Sequence, residues 1–340
     1  MSPPPTILLI GELSHTEPEW QALGRKFTLL EFRHGTRAEF LSNCRSGAYD
    51  AVTGCYRSNT SVAATGPFDA ELVAALPPSW KYIAHNGAGY DNIDVAACAA
   101  RRIAVSATPG AVDDATADVA LFLMLGALRQ AHEPLTALRQ GRWKGAARLG
   151  RDPRGKTLGI LGMGGIGRAV ARRARAFGVR EIVYHNRRRL DAGREEGAVY
   201  VGSLDELLAR ADILSLNLAL NESTRGIIGA RELAMMKRGV VVVNTARGGL
   251  VDEDALVKAL EEGQVGAVGL DVYEREPEVH PGLMKSDRAF LLPHLGTSTY
   301  ETQRDMELLV LRNLEAAVEE GKMLTLISEL KGLDWVPGQK

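Results

Sequence analysis

Arg247, Glu276 and His294 are the side chains of this 340-residue chain whose surroundings point to chemistry. Arg247 follows Asn244-Thr245-Ala246, directly after a valine-rich run, and stands beside Gly248 and Gly249. There a guanidinium is well placed to fork two hydrogen bonds onto a carboxylate, although a surface arginine in a turn reads the same way. Glu276 lies in Glu274-Arg275-Glu276-Pro277, a charged loop after a strand expected to end at Asp271; taken alone it reads as a solvated glutamate. His294, in Leu291-Leu292-Pro293-His294-Leu295-Gly296, is either a satisfied core histidine or a residue at the ligand-facing end of a buried strand. Together the three suit reduction of a carbonyl. Hydride addition leaves charge on oxygen, which calls for a proton donor within hydrogen-bond reach. Histidine titrates near neutrality, and a neighbouring carboxylate favours its charged form. Arginine orients an adjacent carboxylate and polarises the carbonyl.

A hydride must come from a cofactor, and Thr157–Gly167 carries the pattern for one. The apolar run Thr157–Leu161 reads as a buried strand, Gly162, Gly164 and Gly167 follow in G-x-G-x-x-G spacing, and Arg168–Phe177 has a helical pattern. Gly162 allows a tight turn, Gly164 lets the backbone approach a pyrophosphate, and Gly167 permits close helix–strand packing. The pyrophosphate then rests on the helix N-terminus. A second strand, Glu181–Tyr184, completes the dinucleotide-binding unit.

Short apolar runs alternate with amphipathic stretches along the chain, which predicts a parallel α/β architecture. Strands are expected at Thr6–Ile10, Phe27–Glu31, Ala51–Thr53 and Tyr82–His85, then beyond the glycine motif at Ile213–Leu216, Val240–Asn244, Ala267–Asp271 and Ala289–Leu292. The segments Glu17–Leu23, Arg37–Asn43, Ala70–Leu76 and Val95–Arg102 have helical spacing. Val112–Arg129 is apolar on nearly every face, so that helix is expected to be buried all round, at a domain junction or against a second subunit. The carboxyl ends of parallel strands line a ligand crevice, which draws Asn244–Arg247, Asp271 and Pro293–His294 toward one site. The final helix, Thr299–Glu320, is long enough to return to the first domain. We therefore expect a Rossmann-type doubly wound parallel sheet over residues 109–298. A smaller flavodoxin-like α/β domain is expected from both termini, residues 1–108 and 299–340.

Lys and Arg number 41 and Asp and Glu 42, a net charge of -1, which gives no electrostatic footprint for nucleic acid or an anionic membrane surface. Cys44, Cys55 and Cys98 show neither metal-ligand spacing nor a disulfide framework and are expected to be reduced in a cytoplasmic protein. Met1–Pro5 lacks the pattern of a signal peptide, Trp335–Lys340 lacks a peroxisomal ending, and no apolar run suggests a membrane span.

Four motifs in order give the chain its resemblance, along nearly its whole length, to the D-isomer-specific 2-hydroxyacid dehydrogenases. They are Asn86-Gly-Ala-Gly-Tyr-Asp91, Gly162–Gly167, Asn244-Thr-Ala-Arg-Gly-Gly-Leu-Val-Asp252 with Gly269-Leu-Asp-Val272, and Leu292-Pro-His-Leu-Gly296. The resemblance implies that Arg247 binds the substrate carboxylate and carbonyl, that Glu276 is the carboxylate partner and that His294 is the proton donor. Backbone amides around Ala88 and Gly89 would hold the substrate carboxylate. Asp271 would accept the nicotinamide carboxamide, and Thr116, Ala219, Thr245 and Gly296 fall at cofactor-contacting positions, as do Gly162, Gly164, Gly165 and Ile166.

Where NAD-preferring members place an acidic residue at the end of the second strand, this chain has His185-Asn186-Arg187-Arg188-Arg189. No carboxylate repels a 2′-phosphate there, and Asn186, Arg187 and Arg188 are at hand to bind it, so NADP(H) is expected over NAD(H). A solvated basic turn is the plainer reading of the same run. Within the family the chain looks most like the glyoxylate/hydroxypyruvate reductases. No regulatory domain is expected after Leu333, unlike the long phosphoglycerate dehydrogenases, and a homodimer is expected. Cys55, Tyr56, Arg57, Tyr90 and Trp143 are candidates for the substrate pocket, and a larger pocket would suit branched or aromatic 2-oxo acids such as benzoylformate. A dinucleotide-sensing corepressor and a catalytically retired paralogue on the same scaffold are the competing readings.

Overall fold

A computed structural model describes residues 3–336; the readings made on Met1–Pro5 and Trp335–Lys340 fall partly outside that range. The chain forms two compact units. One is the chain up to Val112 together with the chain from Thr299 onward, and the other is Asp113–Ser298.

The first unit is built on β1 (Thr6–Ile10), β2 (Thr28–Phe32), β3 (Val52–Ser58), β4 (Tyr82–Asn86) and β5 (Ala104–Ser106), all parallel in the order β2-β1-β3-β4-β5. This is the flavodoxin-like order. Alternation along β1 sends Leu8 and Ile10 into one apolar cluster and Ile7 and Leu9 into another on the opposite face, so the strand is buried throughout. The helix Tyr300–Glu320 supplies Val310, Leu311 and Leu314 to the second cluster. Its N-terminus is fixed by Thr299, whose Oγ1 accepts from the Thr302 amide at 3.2 Å.

The second unit holds β6 (Thr157–Leu161), β7 (Glu181–His185), β8 (Val199–Tyr200), β9 (Ile213–Leu216), β10 (Val240–Asn244), β11 (Val265–Leu270) and β12 (Ala289–Leu291). They pair in parallel in the order β12-β11-β10-β9-β6-β7-β8. Counted from β6 this is the doubly wound Rossmann order with a strand added at one edge. The order therefore reverses between β6 and β9, the switch point where ligands bind.

Two expectations need correction. β3 runs on to Ser58 because Arg57 and Ser58, polar at its end, are nonetheless buried. The helix after the glycine motif begins at Gly165, inside the motif, and its last expected turn, Arg175–Phe177, is a separate 3₁₀ turn. Within a single chain the helix Asp113–Leu128 is covered on part of its surface. It packs against the helix Gly165–Ala174 and against β10, β11 and β12, while Phe122 is 54% exposed and Asp118 pairs with Arg173 at 2.5 Å. β5, β8 and the helix His132–Arg139 are not anticipated from the sequence; two of them are only three and two residues long.

Candidate active site

The glycine turn shows three different reasons for three glycines. Gly162 sits at φ +98°, a left-handed backbone, and a Cβ there would lie 2.6 Å from the Asn217 carbonyl oxygen. Gly167 faces the Gly162 carbonyl so closely that any side chain would collide with it. Gly164 is exposed, and a Cβ on it would meet nothing within 4 Å. The fold does not need a glycine at 164; an incoming group would. Gly165 and Ile166 are half-buried and head the helix Gly165–Ala174, whose first amides have no partner within the helix. A pyrophosphate suits that arrangement.

The basic run after β7 divides by role. Asn186 Oδ1 accepts from the Met163 amide at 2.7 Å, so this side chain braces the glycine turn. Arg189 is paired with Glu195 at 2.8 Å, and Glu195 also accepts from the Tyr184 hydroxyl at 2.8 Å. Arg187 and Arg188 are exposed and, among the described residues, their side chains make no hydrogen bond or ion pair.

Beyond β10 the chain turns through Asn244–Arg247. Asn244 Nδ2 donates to the Arg247 carbonyl at 2.8 Å and its Oδ1 accepts from the Ala246 amide at 3.0 Å, so one buried side chain shapes the loop that carries the guanidinium. Arg247 Nη1 donates to the Ala246 carbonyl at 2.8 Å. The next residue, Gly248, lies flush against the backbone of Tyr273 and Glu274, leaving no room for a Cβ. The arginine loop and the glutamate loop are thereby pressed together.

Glu276 is held from both sides. Its Oε1 accepts from the Tyr273 amide at 2.9 Å, and its Oε2 lies 2.7 Å from His294 Nδ1. His294 has φ +56°, an uncommon conformation for a side chain with a Cβ and one that clusters at functional sites. The hydrogen bond to Glu276 raises the His294 pKa above its ordinary value, against burial and the Arg247 charge. Burial would raise the Glu276 carboxyl, but the bonds from His294 and the Tyr273 amide, with the charges of His294 and Arg247, bring it below the ordinary range. Arg247, Glu276 and His294 thus act on one another electrostatically within one unit.

Asp271, fully buried, accepts from the amides of Leu295 and Gly296, each at 2.7 Å. Burial pushes its carboxyl up, partly offset by those amides. This carboxylate anchors the loop that presents His294. Gly296 also approaches Thr116: a Cβ there would lie 3.4 Å from Thr116 Cγ2, so Thr116, Asp271 and Gly296 form one cluster. Thr245 Oγ1 is buried without a hydrogen-bond partner among the described residues. Ala219 is exposed, and its carbonyl accepts from Thr224 Oγ1 at 2.8 Å. A donor or acceptor brought by a dinucleotide would satisfy Thr245, and Gly164 leaves space for its phosphates, so the residues fit such a group.

Ala88 and Gly89 belong to the other unit, half-buried in the loop after β4. Of the pocket candidates, Cys55 and Tyr56 are core residues, because alternation along β3 points them into opposite apolar clusters. Arg57 is fully buried, Tyr90 donates to Glu329 at 2.7 Å, and Trp143 is 71% exposed. Sequence reasoning does not single out Tyr273, whose hydroxyl donates to the Leu292 carbonyl at 2.8 Å. Nor does it single out Glu253, which accepts from the Glu274 amide at 2.9 Å. Both shape loops of the site, and neither carries a signal beyond an ordinary loop or first-turn residue.

Residues 121–296 match the family model for the D-isomer specific 2-hydroxyacid dehydrogenase NAD binding domain. The chain is 62% identical over 329 residues to 4-methyl-2-oxopentanoate reductase A of Aspergillus oryzae, covering 97% of this chain and 99% of that protein. It superposes on the crystal structure of a glyoxylate reductase from Paecilomyes thermophila with a TM-score of 0.95 and 63% identity, over 97% of this chain and 100% of that one. An NADPH-dependent glyoxylate/hydroxypyruvate reductase from Sinorhizobium meliloti, solved with NADP and malonate, gives a TM-score of 0.83 at 34% identity, over 96% and 97% of the two chains. With its glycine turn at the switch point and its arginine, glutamate and histidine gathered on neighbouring loops, the chain belongs to the D-isomer-specific 2-hydroxyacid dehydrogenases.

Proposed function

We propose that the protein reduces a small 2-oxo acid, glyoxylate or hydroxypyruvate, to the D-2-hydroxy acid with NADPH. The observation that carries this reading is the 2.7 Å pair between His294 Nδ1 and Glu276 Oε2, with the glutamate loop pressed against that of Arg247. The nicotinamide, when bound, supplies the hydride. A carboxylate oxygen only accepts, so Nδ1 of His294 carries a proton toward Glu276 and Nε2 is left to protonate the developing alkoxide. Arg247 binds the substrate carboxylate and draws electron density from the carbonyl. The amides around Ala88 and Gly89 hold the same carboxylate. Gly162, Gly164, Gly165 and Ile166 bind the pyrophosphate, and Thr116, Ala219, Thr245, Asp271 and Gly296 contact the rest of the cofactor, Asp271 through the carboxamide. Asn186, Arg187 and Arg188 take the 2′-phosphate, and NADPH is preferred over NADH at least tenfold, about 1.4 kcal/mol in transition-state terms.

The Aspergillus relative's name favours a second reading, reduction of branched 2-oxo acids such as 4-methyl-2-oxopentanoate. Steady-state turnover with glyoxylate, hydroxypyruvate, pyruvate, 4-methyl-2-oxopentanoate and benzoylformate, each with both cofactors, decides between them. Highest kcat/KM on glyoxylate or hydroxypyruvate with NADPH is the expected result; a higher value on the branched acid selects the second reading, and no turnover on any removes both. We further propose a homodimer in the cytoplasm. Exposed Phe122, Leu135 and Leu138 support the former, and three buried free cysteines the latter. Light scattering should return twice the 36.7 kDa chain mass.

A further inference from the structure

The loop Asn86–Asp91 lies over a buried cation that no step above uses. Arg57, at the end of β3, is fully buried and is the register partner of His85 in β4, so both side chains leave the same face of the sheet. Its Nη1 lies 3.0 Å from His85 Nδ1 and 3.1 Å from Asn92 Oδ1. Those two residues stand at the entry to and the exit from the loop. The guanidinium lies over the Phe68 ring, 4.9 Å from its centroid, while Nε and Nη2 have no hydrogen-bond partner among the described residues. A guanidinium buried without a carboxylate fork is costly, so packing alone is a poor reason for it.

Its chemistry fixes the histidine. Arginine has no acceptor, so the 3.0 Å contact requires His85 Nδ1 to offer its lone pair. The ring proton then resides on Nε2, which donates to the Gly89 carbonyl at 3.1 Å. The loop closes tightly on that ring: a Cβ on Gly87 would lie 2.6 Å from His85 Nε2. A trans peptide is planar with its C=O and N–H opposed, so drawing the Gly89 carbonyl onto the imidazole turns the Tyr90 N–H away from it. The orientation of the Gly89–Tyr90 peptide plane therefore depends on which ring nitrogen holds the proton.

We propose that Arg57 and His85 form a positioning relay that aims the backbone amides of the Asn86–Asp91 loop at the substrate carboxylate and so sets the KM for 2-oxo acids. The relay rests on the reading that the amides around Ala88 and Gly89 bind that carboxylate. Neither residue touches substrate; each acts through the loop. The effect falls on substrate binding and leaves proton transfer and cofactor affinity alone.

Two amides of different reach test the relay. His85→Asn presents polar atoms near the position of Nδ1 and cannot reach the Gly89 carbonyl; His85→Gln places a donor near the position of Nε2. KM for glyoxylate, or for the best 2-oxo acid of the wild type, is expected to rise about tenfold in His85→Asn and Arg57→Met. It should stay within about threefold of wild type in His85→Gln, with kcat within about twofold and the NADPH dissociation constant unchanged in all three. An unchanged KM in both His85→Asn and Arg57→Met overturns the relay while leaving the carboxylate reading in place. Equal loss of kcat and KM in His85→Asn and His85→Gln also overturns it, since a merely structural histidine gives that pattern. A wild type that turns over no 2-oxo acid removes the reading underneath and the relay with it.

Discussion

His294 Nδ1 lies 2.7 Å from Glu276 Oε2, although the two are 18 residues apart in the chain and sit on different loops. The bond commits one ring nitrogen to the carboxylate, and in the proposed reaction the other faces substrate. Asp271 holds one loop through the amides of Leu295 and Gly296, and the Tyr273 amide holds the glutamate of the other.

Replacing His294 with Ala removes the proposed proton donor and is expected to lower kcat by at least a thousandfold. The NADPH dissociation constant, read by fluorescence titration, should stay within about threefold. A variant that keeps wild-type turnover would end the assignment of His294.

The proposed reduction needs the imidazolium, so kcat/KM should be flat at low pH and fall as pH rises through the pKa of His294, which Glu276 holds above the ordinary 6.5. Glu276→Gln removes that support, so the fall should move to lower pH. A pH–rate profile whose break stays in place in Glu276→Gln would separate the glutamate from the titration.

Arg187 and Arg188 are exposed and unengaged among the described residues, whereas Arg189 is bound to Glu195. The Arg187→Ala/Arg188→Ala double variant should raise KM for NADPH about tenfold and leave that for NADH within about twofold. Arg189→Ala should alter neither ratio. Equal losses with both cofactors would remove the 2′-phosphate role.

Two glycines of one motif should fail in different ways. Gly167→Ala places a methyl group against the Gly162 carbonyl, and the clash should cost about 1–3 kcal/mol of stability, measured by denaturant unfolding. Gly164→Ala meets nothing within 4 Å and should unfold like the wild type, yet lose at least tenfold in NADPH affinity. If Gly164→Ala binds NADPH normally, the pyrophosphate does not approach at that residue.

The glycine turn and the strands beside it were legible because both faces of their sheet are covered, which leaves unbroken runs such as Val240–Asn244. Strand ends were harder to read. Arg57 and Ser58 look like loop residues and end a strand because their partners lie on β4, far along the chain. Glu276 alone reads as a solvated acid, and only the pairing with His294 distinguishes it. Asn186 reads from the sequence as a phosphate ligand and is also a brace for the Met163 amide, a contact no spacing rule displays. Cys55 and Tyr56 lie near the carboxyl end of their strand, where a pocket wall is expected, but face the two cores instead.

The left-handed backbone at His294 bears on how descendants of this enzyme could abandon proton transfer and still keep the scaffold. Asparagine, aspartate and glycine accept that conformation most cheaply, whereas a β-branched residue would distort the loop that Asp271 anchors. A His294→Asn variant would then keep the loop's backbone while losing the imidazole.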